Sequence, residues 1–511
     1  VGYEAVSVNN RNISGRVDNF GFTSQDIRYL NTALAPTINN VNSGSTLGTI
    51  ASTFAKVDYA LSDKYLISAS IRRDGSSQFA PDKRYGVFPA FSAGWRISEE
   101  SFLQSTTWLD DLKLRAGYGV TGNQNGVPNG NAYNRYGARS IYDAGYNITG
   151  DNAGNSAGYA LTAYGNPTTQ WEENKMIDVG VDVTVLNGKF SLVFDWFKKD
   201  IDKLLFLASF PGVAGAADVP ARNVANVTNI GFDGSINYRD NFGDLGVDIG
   251  LNFSHFKNEV TQLVGDTKLI FPGGPDKRFG EIGVWQVGYP IGSFYGYVND
   301  GLFQNQADLD AVVQSGEGLG RLRWKDISGP NGVPDGEITD ADKGVIGSPQ
   351  PKLTMGLNIG LNYKSFDFTM MLFGSFGNDI YNYNKLFTHF GFFNSNIAQE
   401  VIDDSWTSEG VGSLPIIDPN DSQSVTSSSF YVEDGSYVRA QNITLGYTLP
   451  KTPVFQKLRV YLQMQNAFTI TKYSGIDPAL SSVRQGDAFT GYDFGNYPSS
   501  RTFMVGVNAT F

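Results

Sequence analysis

The chain has no cysteine and only two histidines among its 511 residues. The first absence removes disulfide frameworks and thiolate chemistry. The second leaves little from which to build a catalytic centre. His255 and His389 stand isolated, and no Gly-x-Ser-x-Gly, His-Glu-x-x-His or phosphate-loop pattern accompanies them, so an enzyme is not expected. No apolar run approaches the roughly 18–20 residues of a membrane-spanning helix. That excludes helical spans and leaves strands, whose membrane signal is only a weak alternation. Charge is scarce as well: 18% of residues are charged, and a net charge of -12 argues against a nucleic-acid partner. No signal peptide opens the chain. Residues Val1 to Val8 already alternate as a strand, so Val1 reads as a cut and Phe511 as a natural end.

What is abundant is glycine (59), phenylalanine (35) and tyrosine (26), the profile of a β-rich, turn-rich chain. Strand alternation places successive side chains on opposite faces, and many segments here separate into an apolar row and a polar or small row. Leu353, Met355, Leu357, Ile359 and Leu361 alternate with Thr354, Gly356, Asn358, Gly360 and Asn362. Phe503, Val505, Val507, Ala509 and Phe511 alternate with Met504, Gly506, Asn508 and Thr510. About fourteen strands are expected, near 1–9, 50–61, 64–74, 87–97, 111–121, 172–185, 189–205, 227–239, 245–258, 352–363, 366–377, 435–449, 457–468 and 500–511.

The connections alternate in length. Short ones fall at Ser62-Asp63, Leu186-Asn187-Gly188, Asp240 to Asp244, Lys364-Ser365 and Pro450 to Phe455, with 98–110 somewhat longer. Long ones fall near 10–49, 75–86, 122–171, 259–351, 378–434 and 469–499. A soluble sandwich also alternates along its strands, but it has no reason to collect its long loops at one end. A transmembrane antiparallel β-barrel does, with short periplasmic turns and long extracellular loops. Aromatics near strand ends (Trp95, Phe190, Trp196, Phe197, Phe366, Phe368, Phe376, Phe503) are expected to form its interfacial belts.

Several stretches then carry a family resemblance. Tyr65 to Ser77, Phe88 to Glu100, Leu112 to Gln124, Tyr297 to Phe303, Glu433 to Pro450, Gln465 to Thr469 and Tyr497 to Phe503 resemble the SusC/RagA family of TonB-dependent outer-membrane transporters. The resemblance implies a barrel of about 22 strands with a plugged lumen, of which this all-β chain would supply the C-terminal strands. The upstream strands, plug and TonB-contacting segment would lie outside it. It also implies an outer-membrane location, import of oligosaccharide or peptide nutrients, a SusD-like surface lipoprotein on the extracellular loops, and energy from the TonB-ExbB-ExbD complex. A barrel that only anchors a surface binding or adhesion function is the rival reading.

Two candidate sites stand out. Between Asp326 and Asp342, Asp326, Asn331, Asp335 and Asp340 surround glycine turns, as a hard cation such as Ca²⁺ requires, although a Gly-Pro-Asn-Gly-Val-Pro insertion breaks the ligand spacing of an EF-hand. The long loops also carry aromatics suited to stacking on sugars or holding peptide side chains: Tyr133, Tyr136, Trp285, Tyr297 and Phe392 foremost, with Tyr142, Tyr146, Tyr295, Phe390 and Phe393. Asn305 to Val313 has an N-cap and helical spacing, so a short helix is expected inside the longest loop.

Overall fold

The computed structural model describes residues 1–17, 38–139, 158–207, 217–265, 267–272, 280–329, 331–392, 395–421, 423, 425–451, 453–479 and 490–511. Fourteen strands follow one another in a single antiparallel path. They are β1 (Gly2–Val17), β2 (Ile38–Leu61), β3 (Tyr65–Ser76), β4 (Tyr85–Arg96), β5 (Leu109–Asn123), β6 (Glu172–Val185) and β7 (Phe190–Phe206). Then come β8 (Arg222–Phe242), β9 (Leu245–Leu263), β10 (Leu353–Tyr363), β11 (Phe366–Phe376), β12 (Tyr437–Leu449), β13 (Lys457–Gln465) and β14 (Thr502–Thr510). Each pairs only with its neighbours in sequence, apart from a short strand, Thr469–Thr471, that continues the pairing of β12 where β13 has ended.

Register carries the two rows of each strand around the whole sheet. Leu114 faces Val181, which faces Phe194, while one residue along Arg115 faces Gly180, which faces Asp195. One face is thus mainly apolar and the other mainly polar, and a slip of one residue would exchange them. The same period puts Trp196 on the apolar face and its neighbour Phe197 on the polar one, against the expectation that both join the belt. At the short-turn end aromatic rings form a cluster, Trp95 and Phe366 of the expected set among them. Tyr65 stacks on Trp95 at 6.5 Å, and both donate hydrogen bonds to Glu100, at 2.7 and 3.1 Å. Phe366–Tyr447 and Phe455–Phe511 ring pairs continue it.

The short turns place Ser62, Asp63, Leu186, Asn187 and Lys364 at positive φ, the backbone a tight hairpin requires. Leucine has no side-chain compensation for that conformation. Leu186→Gly is therefore expected to raise stability by about 1 kcal/mol, read as a higher temperature for loss of the SDS-resistant folded band.

One expected loop is strand. The β1–β2 hairpin continues in register from Asn9↔Leu47 to Arg16↔Asn40, far beyond the other strands. Asn, Ser and Arg occupy both faces there, so no apolar row marks it; the arm stands clear of the sheet and needs none. The expected helix is present at Gln306–Ala311, capped by Asn305, which accepts from the Asp308 N–H at 3.1 Å.

Candidate functional site

All the long connections leave the same end of the sheet, and those after β9, β11 and β13 fold there into a platform of their own. Leu269–Ile270, Gly283–Gln286, Ser293–Tyr297 and Lys343–Gly347 make a four-stranded sheet within the longest connection. Asp379–Asn382 pairs antiparallel with Val432–Asp434 and parallel with Tyr492–Asp493, joining two different connections. An aromatic core holds these sheets together. Tyr297 stacks on Trp324 (5.6 Å, 9°) and Tyr381 on Tyr431 (5.6 Å, 11°), with Phe294 edge-on to Tyr381 and Tyr492. Buried phenols need partners, and they have them: Tyr381 donates to Ser427 Oγ (3.0 Å) and Tyr492 to the Ile282 carbonyl (3.1 Å). Gly296 lets the backbone of Ser427 approach, since a Cβ there would lie 2.4 Å from its carbonyl oxygen.

A polar centre accompanies this core. Lys385 and Glu433 pair at 2.8 Å, each side chain only 14% exposed, and Glu433 also accepts from Asn382 and from the Ser474 N–H and hydroxyl. Arg439 is paired with buried Asp477 beside it. Sequence reading missed this centre, because the residues gathered on Glu433 lie up to 92 positions apart in three segments that only the fold brings together (382 to 474).

The aromatics singled out in the sequence part company. Trp285 is 3% exposed and packs against Phe206 at 4.5 Å, on the polar face of β7–β9 with Val224, Val227 and Val260. Tyr297 is also buried, and burial, then the Asp340 and Asp342 carboxylates, push its phenol up to about 12. Trp285 is thus covered by the wall, and Tyr297 and Phe390 by the platform core, rather than facing solvent. Tyr133, Tyr136 and Phe392 are exposed, with Tyr136 on a two-stranded hairpin, Arg135–Arg139 with Gly158–Ala163. Tyr142, Tyr146 and Phe393 lie outside the described residues.

The acidic loop is organised, but not as a cation cage. Asp326 accepts from the Gly336 N–H (2.7 Å), Asp335 from the Glu337 N–H (3.0 Å), and Asp340 pairs with Lys343 (2.8 Å) while remaining 90% exposed. Asn331 is exposed. Asp342, outside the expected set, gathers the N–H groups of Ile327, Ser328 and Thr339. Burial alone would raise its pKa, but these donors hold it below the usual carboxylate range. Among the described residues no group of three or more acidic or histidine side chains converges. Asp326 and Asp335 cap backbone N–H groups, Asp340 pairs with a lysine and Asn331 is exposed, so the four do not form a shared cation cage.

On the polar face, charged residues pair across strands. Arg115 reaches Asp182 at 2.8 Å and Asp195 at 2.9 Å. Arg72 reaches Glu4 at 2.8 Å, and Arg459 pairs with Asp367. Gly180 sits between the first two partners, where a Cβ would lie 1.9 Å from Asp195 Oδ1. Gly180→Ala is expected to displace this network and cost about 1–3 kcal/mol, seen as a lower unfolding temperature of the purified barrel. Of the histidines, His255 is half-buried on the apolar face beside Phe232, and His389 is buried against Glu400 at 3.0 Å. Burial and Lys385 lower its pKa. Thr388 Oγ1 lies 2.9 Å from its other ring nitrogen, Nδ1.

Residues 3–467 match the family model "TonB dependent receptor-like, beta-barrel". The chain belongs to the TonB-dependent receptor family. This is a family of outer-membrane transport proteins, not of enzymes, and its SusC/RagA-like branch is the relevant one. The chain is 30% identical to TonB-dependent receptor P3 of Formosa agariphila over 474 residues, covering 90% of this chain and 45% of that protein. It is 30% identical to TonB-dependent receptor SusC of Bacteroides thetaiotaomicron over 485 residues, 91% of this chain and 44% of that one. It thus spans about half the length of the curated relatives it matches. In fold it is similar to the RagAB peptide importer in the closed-closed state, with a TM-score of 0.79 at 22% identity, covering 100% of this chain and 53% of that one. As a barrel wall in this family, the sheet turns its apolar face to lipid and its polar face to the lumen, with the short turns periplasmic.

Proposed function

We propose that this chain forms the C-terminal wall and extracellular mouth of a TonB-energised importer of oligosaccharides or peptides, working with a SusD-like surface lipoprotein. The observation that carries the reading is the folded platform at the long-loop end. Loops with a shared aromatic core and a buried ion pair present a fixed surface to a ligand or lid, which free loops do not. Tyr133 and Tyr136, on the connection after β5, and Phe392, on the platform, are exposed and are the proposed substrate contacts for a sugar or an apolar peptide side chain. Peptide import is what is stated of the RagAB neighbour, and it supports the peptide arm of the proposal. Substrate would bind at the mouth and pass when TonB pulling rearranges the plug, which belongs to the half of the protein this chain does not span. The test uses the full-length gene in its own host. Deleting TonB is expected to abolish growth on the imported nutrient, and unchanged uptake would leave only the anchored-adhesin reading. Replacing Tyr133, Tyr136 and Phe392 together by alanine is expected to weaken substrate binding at least about tenfold with the folded band intact.

A further inference from the structure

A cavity of about 180 Å³ opens on the lumenal face at the long-loop end of β1–β3. Its floor is aliphatic. Val6 pairs with Ile50 in register, and Val8 with Gly48 is the next lumenal pair. One lumenal row closer to the short turns the residues are charged, and there Arg72 reaches Glu4 at 2.8 Å and Asp74 at 2.7 Å. The cavity walls are amides: Gln78 from the β3–β4 connection, and Gln124 and Asn129 from the one after β5. Gln78 Nε2 donates to Asn129 Oδ1 at 3.4 Å. The Oε1 atoms of Gln78 and Gln124 are shut off from solvent and, among the described residues, accept no hydrogen bond. Buried acceptors ordinarily have a donor. Gly48 keeps room on the floor, since a Cβ there would lie 3.3 Å from Asn129 Oδ1.

The walls are held from behind. Phe79, next to Gln78, is buried against Trp171 at 5.1 Å, and Val127, three residues past Gln124, enters the same core. Buried Asn131 donates to Thr169 Oγ1 (3.0 Å) and accepts from the Ala221 N–H (2.8 Å). The cavity is therefore set before a ligand arrives, which lowers the ordering cost of binding. Val6 and Val8 remain 41% and 49% exposed, so it is open to the lumen.

We infer that this cavity is a subsite for one uncharged aliphatic residue from the interior of a peptide. The inference rests on the import reading and names its substrate class. An apolar cavity of about 150 Å³ takes a molecule of benzene, so this one takes a single side chain of valine or leucine size. No charged residue lines it, so a chain terminus or a charged side chain would find no counter-charge. No aromatic ring lines it either, and a sugar would have no face to stack on. The two unpaired amide oxygens are acceptors for main-chain N–H groups on either side of the seated residue. A turn of either glutamine side chain presents its oxygen and breaks no bond at that oxygen.

The experiment is calorimetric titration of the purified full-length protein with blocked alanine-glycine peptides, acetylated and amidated, that carry one central leucine, aspartate or lysine. The wild type is expected to bind the leucine peptide at least about tenfold more tightly than the aspartate peptide. Q78L/Q124L keeps the bulk and removes the acceptors, and is expected to weaken the leucine peptide about tenfold. V8D, at a half-exposed position, is expected to reverse the preference toward the lysine peptide. Equal affinity for leucine and aspartate peptides, or variants that bind as the wild type does, would overturn the inference. So would displacement of the leucine peptide by maltohexaose, which would make the cavity a sugar subsite. No binding by the wild type would also overturn it, and would assign the cavity to the protein's own other half. The heat-modifiable band checks folding of each variant. TonB-dependent growth alongside a negative titration would leave the importer reading standing and remove this subsite alone.

Discussion

Tyr381→Ala is expected to cost about 3–5 kcal/mol of loop-platform stability, the range for emptying a fully buried aromatic site. Tyr381 has no exposed surface, and its ring is shared by Tyr431, Phe294 and Tyr492, which come from different parts of the platform. Removing it opens a cavity at the junction of the two sheets rather than at the edge of one. The wall does not depend on it, because the β-ladder of β10 to β12 is paired along its length independently of the loops. The expected result is therefore split. Limited chymotrypsin digestion cuts within 377–436 and 466–501 far faster than in the wild type, while the SDS-resistant barrel band persists. Tyr381→Phe keeps the ring and loses the bond to Ser427, so it should cost only about 1 kcal/mol. If the two variants were equally sensitive, the core would be held by that hydrogen bond rather than by ring packing.

Glu433→Ala is the second large effect, again about 3–5 kcal/mol, because it strands the half-buried Lys385 ammonium without its counter-charge. It also predicts a pH dependence. Burial alone would raise Glu433, but Lys385, the Ser474 N–H and Asn382 outweigh it and hold the carboxyl below its ordinary value of 4.5. A group depressed in the folded state contributes stability that is fully present above its unfolded value and is lost as pH falls through the lower folded one. The platform should therefore loosen only below about pH 4.5, seen as rising hydrogen exchange in Asp379–Asn382 and Val432–Asp434. Glu433→Gln should remove that step. An unchanged acid transition in the glutamine variant would assign it to another carboxylate, with Asp477 the first to examine.

The wall was legible from the sequence wherever its two faces differ chemically. Leu353 to Tyr363 shows both rows in eleven residues, and the strand is found there. The outer half of the β1–β2 arm was not legible, because Asn9, Asn10, Arg11 and Asn12 give the same polarity to both faces. Nor was the burial of Trp285 and Tyr297. Local pattern reports that a ring is present, whereas the residues that cover it, such as Phe206 and Trp324, come from elsewhere in the chain. The same holds for charge. Which acid meets Arg115 is set by register across 67 and 80 positions, to Asp182 and Asp195, and no local pattern reports it. The acidic loop shows the opposite failure. Its residue types suit a cation, and geometry assigns them to backbone N–H groups.

The central claim is orientation: a lipid-facing wall with its short turns in the periplasm and its long loops outside. The chain's lack of cysteine makes the direct test clean, since any introduced thiol is the only one these residues carry. Asn187→Cys in a short turn and Phe392→Cys in the platform are expressed singly in the full-length protein, with any cysteines elsewhere in that protein removed. Each is labelled with a membrane-impermeant maleimide. Phe392→Cys should label in intact cells and Asn187→Cys only after the outer membrane is permeabilised; labelling of Asn187→Cys in intact cells would contradict the assigned topology.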